Sequence, residues 1–283
     1  MQVDEGWILR GTTSSTLTNP TPESQRRDLV VISALIEHPT EGLILFETGA
    51  GEDYPEVWGP PVNDIFARVN YQEDHELDKA IAKTGHNIKD VKAVIMGHLH
   101  LDHSGGLKYF EGTDVPIYVH ELELKNPFYA VATKSDIGNR YKLTITSTYL
   151  PHYLTLKLNW QAFHGSSLEF APGLNLLHCP GHTPGLAILQ INLRNSGTWI
   201  FTSDHYLVWE NYEASQPCGW LARDHDDWIR SHQMVKALAK RTNANLLFGH
   251  CAKYRRSADE FVESPVIRRH SGCINLHQNL MTD

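Results

Sequence analysis

Cysteine is scarce. Cys179, Cys218, Cys251 and Cys273 are the only ones in 283 residues, and no two of them form a CxxC pair. Thiols so widely separated build neither a disulfide framework nor a cysteine-rich metal knuckle. Long apolar stretches are missing as well: no run approaches the roughly 20 residues a membrane-spanning helix needs. Residues 1–7 carry Asp4 and Glu5 where a secretory leader would begin basic and then turn apolar. These absences set the expectation of a cytoplasmic chain with no membrane partner. Positive charge is also in deficit, with 25 Lys and Arg against 33 Asp and Glu and a formal net charge of -8. A surface of that sign repels phosphate backbones, which disfavours a nucleic-acid partner.

What is present is an ordinary globular composition, 41% hydrophobic and 20% charged, enough to build a substantial core. The length overlaps the range of one large α/β domain and of two smaller ones. A single domain over 1–283 is the expectation, because the chemistry-bearing residues lie scattered between 98 and 250 and make sense only together.

Residues 29–36 and 42–48 are β-branched-rich runs joined by Pro39-Thr40-Glu41, which reads as a hairpin with a buried face. A helix is predicted over 74–84 with Gly85 at its end, then strands over 91–96 and 115–119. Residues 126–165, rich in Tyr, Thr, Leu and Trp without a clear period, read as an insertion that could cover a site. Strands follow at 174–177, 187–193 and 198–202, a helix at about 226–240 and a strand at 245–248. From Ser257 onward no pattern stands out, and an irregular tail is expected.

Several of these strands end alike, with a metal-binding residue type just past the last apolar position. Val94-Ile95-Met96 leads to His98-Leu99-His100-Leu101-Asp102-His103, Leu176-Leu177 leads through Pro180 to His182, Trp199-Ile200-Phe201 leads to Asp204, and Leu246-Leu247-Phe248 leads to His250. Loops at strand ends are where a rigid sheet presents functional groups. Four imidazole or carboxylate donors within six positions suit zinc, and a compact loop can aim them at two neighbouring ions. Ser104-Gly105-Gly106 follows and permits a tight turn into a helix. A lone histidine such as His38, His152 or His232 reads more simply as a structural side chain, and Asp204 and His250 would draw no notice alone.

Taken together, in this order over roughly residues 29–250, the H-x-H-x-D-H run, the Gly181-His182-Thr183-Pro184-Gly185 loop, Asp204 and His250 resemble the metallo-β-lactamase superfamily. The resemblance implies an α/β fold, a four-layer αββα sandwich with the metals at one edge of the two sheets. It implies two Zn²⁺, or other divalent transition metals: His98, His100 and His182 hold one, Asp102, His103 and His250 the other, and Asp204 bridges. Within the superfamily the chain is similar to N-acyl homoserine lactone lactonases, and a homodimer is the default for such proteins.

Zinc lowers the pKa of bound water to roughly 7, so the expected reaction is attack of a metal-bridging hydroxide on the ring carbonyl of a small cyclic ester. Asp102 or Asp204 would carry the proton to the leaving group. Two departures from the lactonases stand out. They usually carry a tyrosine three residues after the bridging aspartate, where this chain has Leu207 with Tyr206 one position earlier; Tyr206 is the candidate replacement. Glu47 stands where the superfamily more often has aspartate. It reads either as a carboxylate orienting a metal-bound histidine from a shifted backbone or as a surface strand-end residue.

The missing tyrosine keeps a second substrate class open, cyclic amides such as a γ-lactam or a fused aromatic lactam. Thioester hydrolysis and a non-catalytic binding role are weaker alternatives. Tyr129, Tyr149, Tyr153, Trp160, Tyr206 and Trp209 are the candidate pocket walls for an apolar tail or flat ring.

Overall fold

A computed structural model describes residues 1–9, 25–133, 148–256, 260–263 and 273–276. A small ribbon pairs β1 (Gln2–Asp4) with β2 (Arg26–Asp28). Beyond it, two mixed sheets face each other. The first has strands β3 (Ser33–His38), β4 (Gly42–Phe46), β5 (Val91–Ile95), β6 (Pro116–His120), β7 (Asn159–Phe163) and β15 (Cys273–Leu276), in the order β15-β3-β4-β5-β6-β7. The second has β8 (Ser167–Ala171), β9 (Leu174–His178), β10 (Ala187–Leu193), β11 (Gly197–Phe201), β12 (Asn245–Leu247), β13 (Lys253–Arg256) and β14 (Glu260–Glu263), in the order β14-β13-β12-β11-β10-β9-β8.

Strand periodicity explains the layering. Ala34, Ile36, Ile44, Phe46 and Ile95 of the first sheet meet Ala187, Leu189, Ile191, Phe201 and Leu247 of the second in the central core. The residues between them point outward. Leu35, Leu45, Val94 and Ile117 pack under Leu77, Ala80 and Ile81 of the helix Leu77–Lys83 and under Ala130 of the helix Glu121–Thr133. On the opposite side Ile188, Ile200 and Leu246 pack under Trp228, Val235 and Leu238 of the helix His225–Thr242. Successive strand residues alternate faces, so sheets apolar on both sides bury one face against each other and one under helices. The result is the four-layer αββα sandwich.

Parallel pairing of β4 with β5 and of β11 with β12 sends the carboxyl ends of these strands to one edge. The candidate metal-binding residues follow these ends. Among the described residues no helix is long and apolar enough to cross a membrane, and Cys179, Cys218 and Cys251 are free and buried.

Two expectations fail. The stretch 126–165 is in part framework: Asn126 to Thr133 continue the helix Glu121–Thr133 through Pro127, and Asn159–Phe163 is the edge strand β7, while 134–147 lies outside the described residues. The tail after Ser257 is not wholly irregular. Its strands Glu260–Glu263 and Cys273–Leu276 each add an edge to a sheet, β14 beside β13 and β15 beside β3.

Candidate metal centre

The His98 to His103 run changes backbone state halfway. His100 is still extended (φ -65, ψ 159) and Leu101–Ser104 is one helical turn. The extended half sends His98 and His100 toward one point; the turn swings Asp102 and His103 toward another. His182 arrives from the β9–β10 loop, Asp204 from just past β11 and His250 from just past β12. All seven side chains are buried.

His182 Nε2 lies 2.9 Å from His100 Nδ1 and 3.3 Å from Asp204 Oδ2, and His98 Nε2 is 3.7 Å from that oxygen. On the other side His103 Nε2 and His250 Nε2 are 3.3 Å apart, 3.2 and 3.1 Å from Asp204 Oδ1, and 3.7 and 3.4 Å from Asp102 Oδ2. Donors at about 2.1 Å from a tetrahedral zinc stand about 3.4 Å from one another, so both groups are spaced to hold a cation. The two oxygens of Asp204 face different groups. His98 Nε2 and Asp204 Oδ1 are buried without a hydrogen-bond partner among the described residues, a costly state unless a ligand satisfies them. The residues therefore fit a metal centre.

Three of the five far nitrogens are tied down. His98 Nδ1 lies 3.1 Å from Ser203 Oγ, whose hydroxyl donates to Glu47 Oε1 at 2.7 Å. His103 Nδ1 is 3.1 Å from Glu47 Oε2, and His250 Nδ1 is 2.7 Å from the Val30 carbonyl. These partners fix the tautomers that leave Nε2 free. Glu47, 2% exposed, thus orients a histidine from within the site and is not a surface residue. It does so from a left-handed backbone, φ 62, and Ser203 is also left-handed at φ 44. Two such residues bonded to each other store strain where the geometry is functional.

Electrostatics divides the centre. Burial pushes His98 and His100 well below the ordinary imidazole range, His103 and His182 respectively adding to the shift, and burial takes His182 down to about 4. Neutral imidazoles are the form that ligates. In the other half burial also opposes charge, but Asp204, Glu47 and Asp102 outweigh it and hold His103 well above its ordinary value; Asp204 and Asp102 likewise raise His250. Burial disfavours ionised Asp204, yet His250, His103 and His98 keep its carboxyl well below the usual range.

Tyr206 does not join this group. Its ring packs among Trp228, Tyr212 and Phe248, and its hydroxyl meets His232 Nδ1 at 2.7 Å. Leu207 is the residue that faces the site, lining a small cavity with His100, Asp102, Asp204 and His250. Adjacent residues past β11 point to opposite sides, so Tyr206 is no replacement for the absent tyrosine. Tyr206→Phe is expected to leave kcat/KM within about twofold and to cost about 1 kcal/mol of stability, the worth of one buried hydrogen bond. A paired rate and Tm measurement checks both.

Most of the expected pocket walls also lie elsewhere. Tyr129 is 66% exposed, Trp160 packs on Phe128, and Tyr153 donates to Asp53 behind Trp58. Tyr149 sits against the His100 ring at 4.7 Å. Trp209 alone of the six lines the larger cavity beside His250, about 460 Å³, together with Leu29, Val30, Trp58, Phe66 and Val208. Trp58 and Phe66 lie in a Pro-rich stretch far from every motif, and nothing in the sequence marked them.

The family model described as the metallo-beta-lactamase superfamily matches residues 26–250, and the chain belongs to that superfamily. Among its relatives are an N-acyl homoserine lactonase of Bacillus sp, 30% identical over 83% of this chain and 87% of that protein, and the N-acyl homoserine lactonase AiiB of Agrobacterium fabrum, 26% identical over 93% and 96%. A solved quorum-quenching N-acyl homoserine lactone lactonase superposes with a TM-score of 0.68 at 25% identity, covering 88% of each chain. An N-acyl homoserine lactone hydrolase with N-hexanoyl-L-homoserine at its catalytic metal centre gives 0.64 at 25% identity, covering 88% of this chain and 92% of that one. Shared fold, relatives and donor cluster make this chain a metal-dependent hydrolase.

Proposed function

We propose that the chain opens small cyclic esters, in the manner of the N-acyl homoserine lactonases it is similar to, with two zinc-like ions in the centre. One observation carries the reading: Asp204 turns one oxygen toward His98 and His182 and the other toward His103 and His250. Ions bound there supply Lewis acidity and a water acidic enough to yield its proton near neutral pH. His98, His100 and His182 would hold one, Asp102, His103 and His250 the other. Each Asp204 oxygen faces the histidines of one half of the centre. Asp102, its side chain 11% exposed and bordering the small cavity, is therefore the group that takes the proton from the attacking water and returns it to the leaving alkoxide oxygen. The apolar cavity beside His250 suits an acyl tail.

A second reading, hydrolysis of cyclic amides, draws on Leu207, which offers the site no hydroxyl where lactonases usually carry tyrosine. A rate comparison on an N-acyl homoserine lactone, a γ-lactam and a fused aromatic lactam, alongside metal analysis, separates the two. The expected result is close to two metal ions per chain and a kcat/KM for the lactone at least about 10-fold above either lactam, a difference of roughly 1.4 kcal/mol in barrier. Faster lactam turnover selects the second reading, and full activity after exhaustive chelation refutes both.

A further inference from the structure

Glu123 is fully buried on the helix Glu121–Thr133, while its neighbour Glu121 pairs at the surface with Lys125 and His164. Among the described residues no cationic side chain forms an ion pair with it. Its carboxylate collects donors instead. Oε1 accepts from the Leu99 N–H at 3.0 Å and the Tyr149 hydroxyl at 3.4 Å, Oε2 accepts from the Thr183 hydroxyl at 2.6 Å, and the Gly185 N–H also bonds to it.

Each donor belongs to a segment that bears a ligand or touches one. Leu99 lies between His98 and His100, Thr183 follows His182, and Tyr149 packs on the His100 ring. We propose that Glu123 is a positioning residue that holds His98, His100 and His182 in register as one metal subsite. The proposal rests on those three histidines being metal ligands.

The reach of the side chain is set by the packing. A Cβ at Gly185 would lie 2.1 Å from the Glu123 backbone nitrogen, so the helix start is already pressed against the His182 loop. Aspartate, one methylene shorter, cannot be brought closer to recover its donors. Burial lifts the Glu123 carboxyl to about 7 against the pull of its hydrogen bonds. A buried carboxylate without a counter-ion is an expensive way to fill a core, and a core role alone would be served by an apolar side chain.

In the other half His103 and His250 have supports that do not involve Glu123, Glu47 Oε2 and the Val30 carbonyl, while Ser203 adds a second hold on His98 alone. The two halves can therefore be tested apart. Glu123→Gln is made in the full chain in two backgrounds: His250→Ala, which leaves the three-histidine subsite, and His182→Ala, which leaves the other. Zinc affinity is read by competition with a chromophoric chelator.

In the His250→Ala background Glu123→Gln is expected to weaken zinc binding roughly 10–100-fold, the usual effect of removing a group that orients ligands. In the His182→Ala background the change should stay within about threefold. Equal weakening in both, or none in the first, overturns the proposal. Should Glu123→Gln not fold, Thr183→Val removes one donor and is expected to weaken the same subsite, with Thr183→Ser restoring it; failure of that pair also overturns the proposal. If the parent His250→Ala and His182→Ala proteins bind zinc as the unaltered chain does, it is the metal-centre reading that falls, before Glu123 is touched.

Discussion

Asp204→Asn is expected to cut kcat/KM at least about 1,000-fold and to lower the bound metal well below two ions per chain, with the fold retained. The carboxylate serves both halves of the centre, with Oδ1 3.2 and 3.1 Å from the His103 and His250 nitrogens and Oδ2 3.3 Å from His182. Asparagine keeps one oxygen and turns an NH₂ toward the other half, where its protons would face any cation those residues hold. It also removes the negative charge that raises His103 and His250. A loss of several kcal/mol of charge stabilisation corresponds to at least three decades in rate. The β11 end is held independently by the Thr202 N–H to the Leu247 carbonyl, so the global fold should survive. Metal analysis, kinetics and a melting curve on one preparation decide the matter. An Asp204→Asn protein that keeps both its metal and its rate would mean that this carboxylate bridges nothing and that the chemistry runs elsewhere.

The candidate donors that the structure brings together could be picked out in the sequence because coordination constrains local chemistry. Four donors in six positions after an apolar strand have few other uses, and the strand-to-loop pattern recurs before His182, Asp204 and His250. What holds those donors could not be seen. Glu123 stands in Glu121-Leu122-Glu123-Leu124, which reads as a solvated helix start, and only the tertiary packing shows one glutamate buried and the other at the surface. Ser203 looks like a turn residue until its left-handed backbone puts the hydroxyl between His98 and Glu47. Tyr206 misled for a related reason: one position along an extended backbone reverses the side chain, and a sequence offset carries no direction.

The fold errors have similar causes. β7 lies at a sheet edge with most of its residues partly exposed, so Asn159-Trp160-Gln161-Ala162-Phe163 shows no apolar run. Four-residue strands such as β14 and β15 are fixed by pairing partners, which for β15 lie far away in the chain and outside any local window.

Gly105→Ala is expected to be among the most destabilising single-methyl changes in the chain, about 3 kcal/mol, lowering Tm by roughly 6–12 °C. The sequence suggested that Gly105 and Gly106 allow a tight turn, but Gly105 sits at φ -62, where alanine is at ease. The constraint is proximity. A Cβ there would lie 2.2 Å from the Ala50 carbonyl carbon and 2.3 Å from the Gly51 nitrogen. Neither segment can yield, because the Gly105 N–H bonds to the Gly49 carbonyl at 2.8 Å and the Thr48 N–H and hydroxyl both bond to the His103 carbonyl. Pushing them apart would also displace the turn Leu101–Ser104 that carries Asp102 and His103, so zinc affinity should fall with stability. Gly85→Ala is the control. Gly85 has φ +89 and open space around its Cβ position, so its replacement carries backbone strain of about 1 kcal/mol without a clash. If Gly105→Ala melts no lower than Gly85→Ala, close approach of the β4 loop is not what requires glycine, and the ligand-bearing turn is held by something other than that contact.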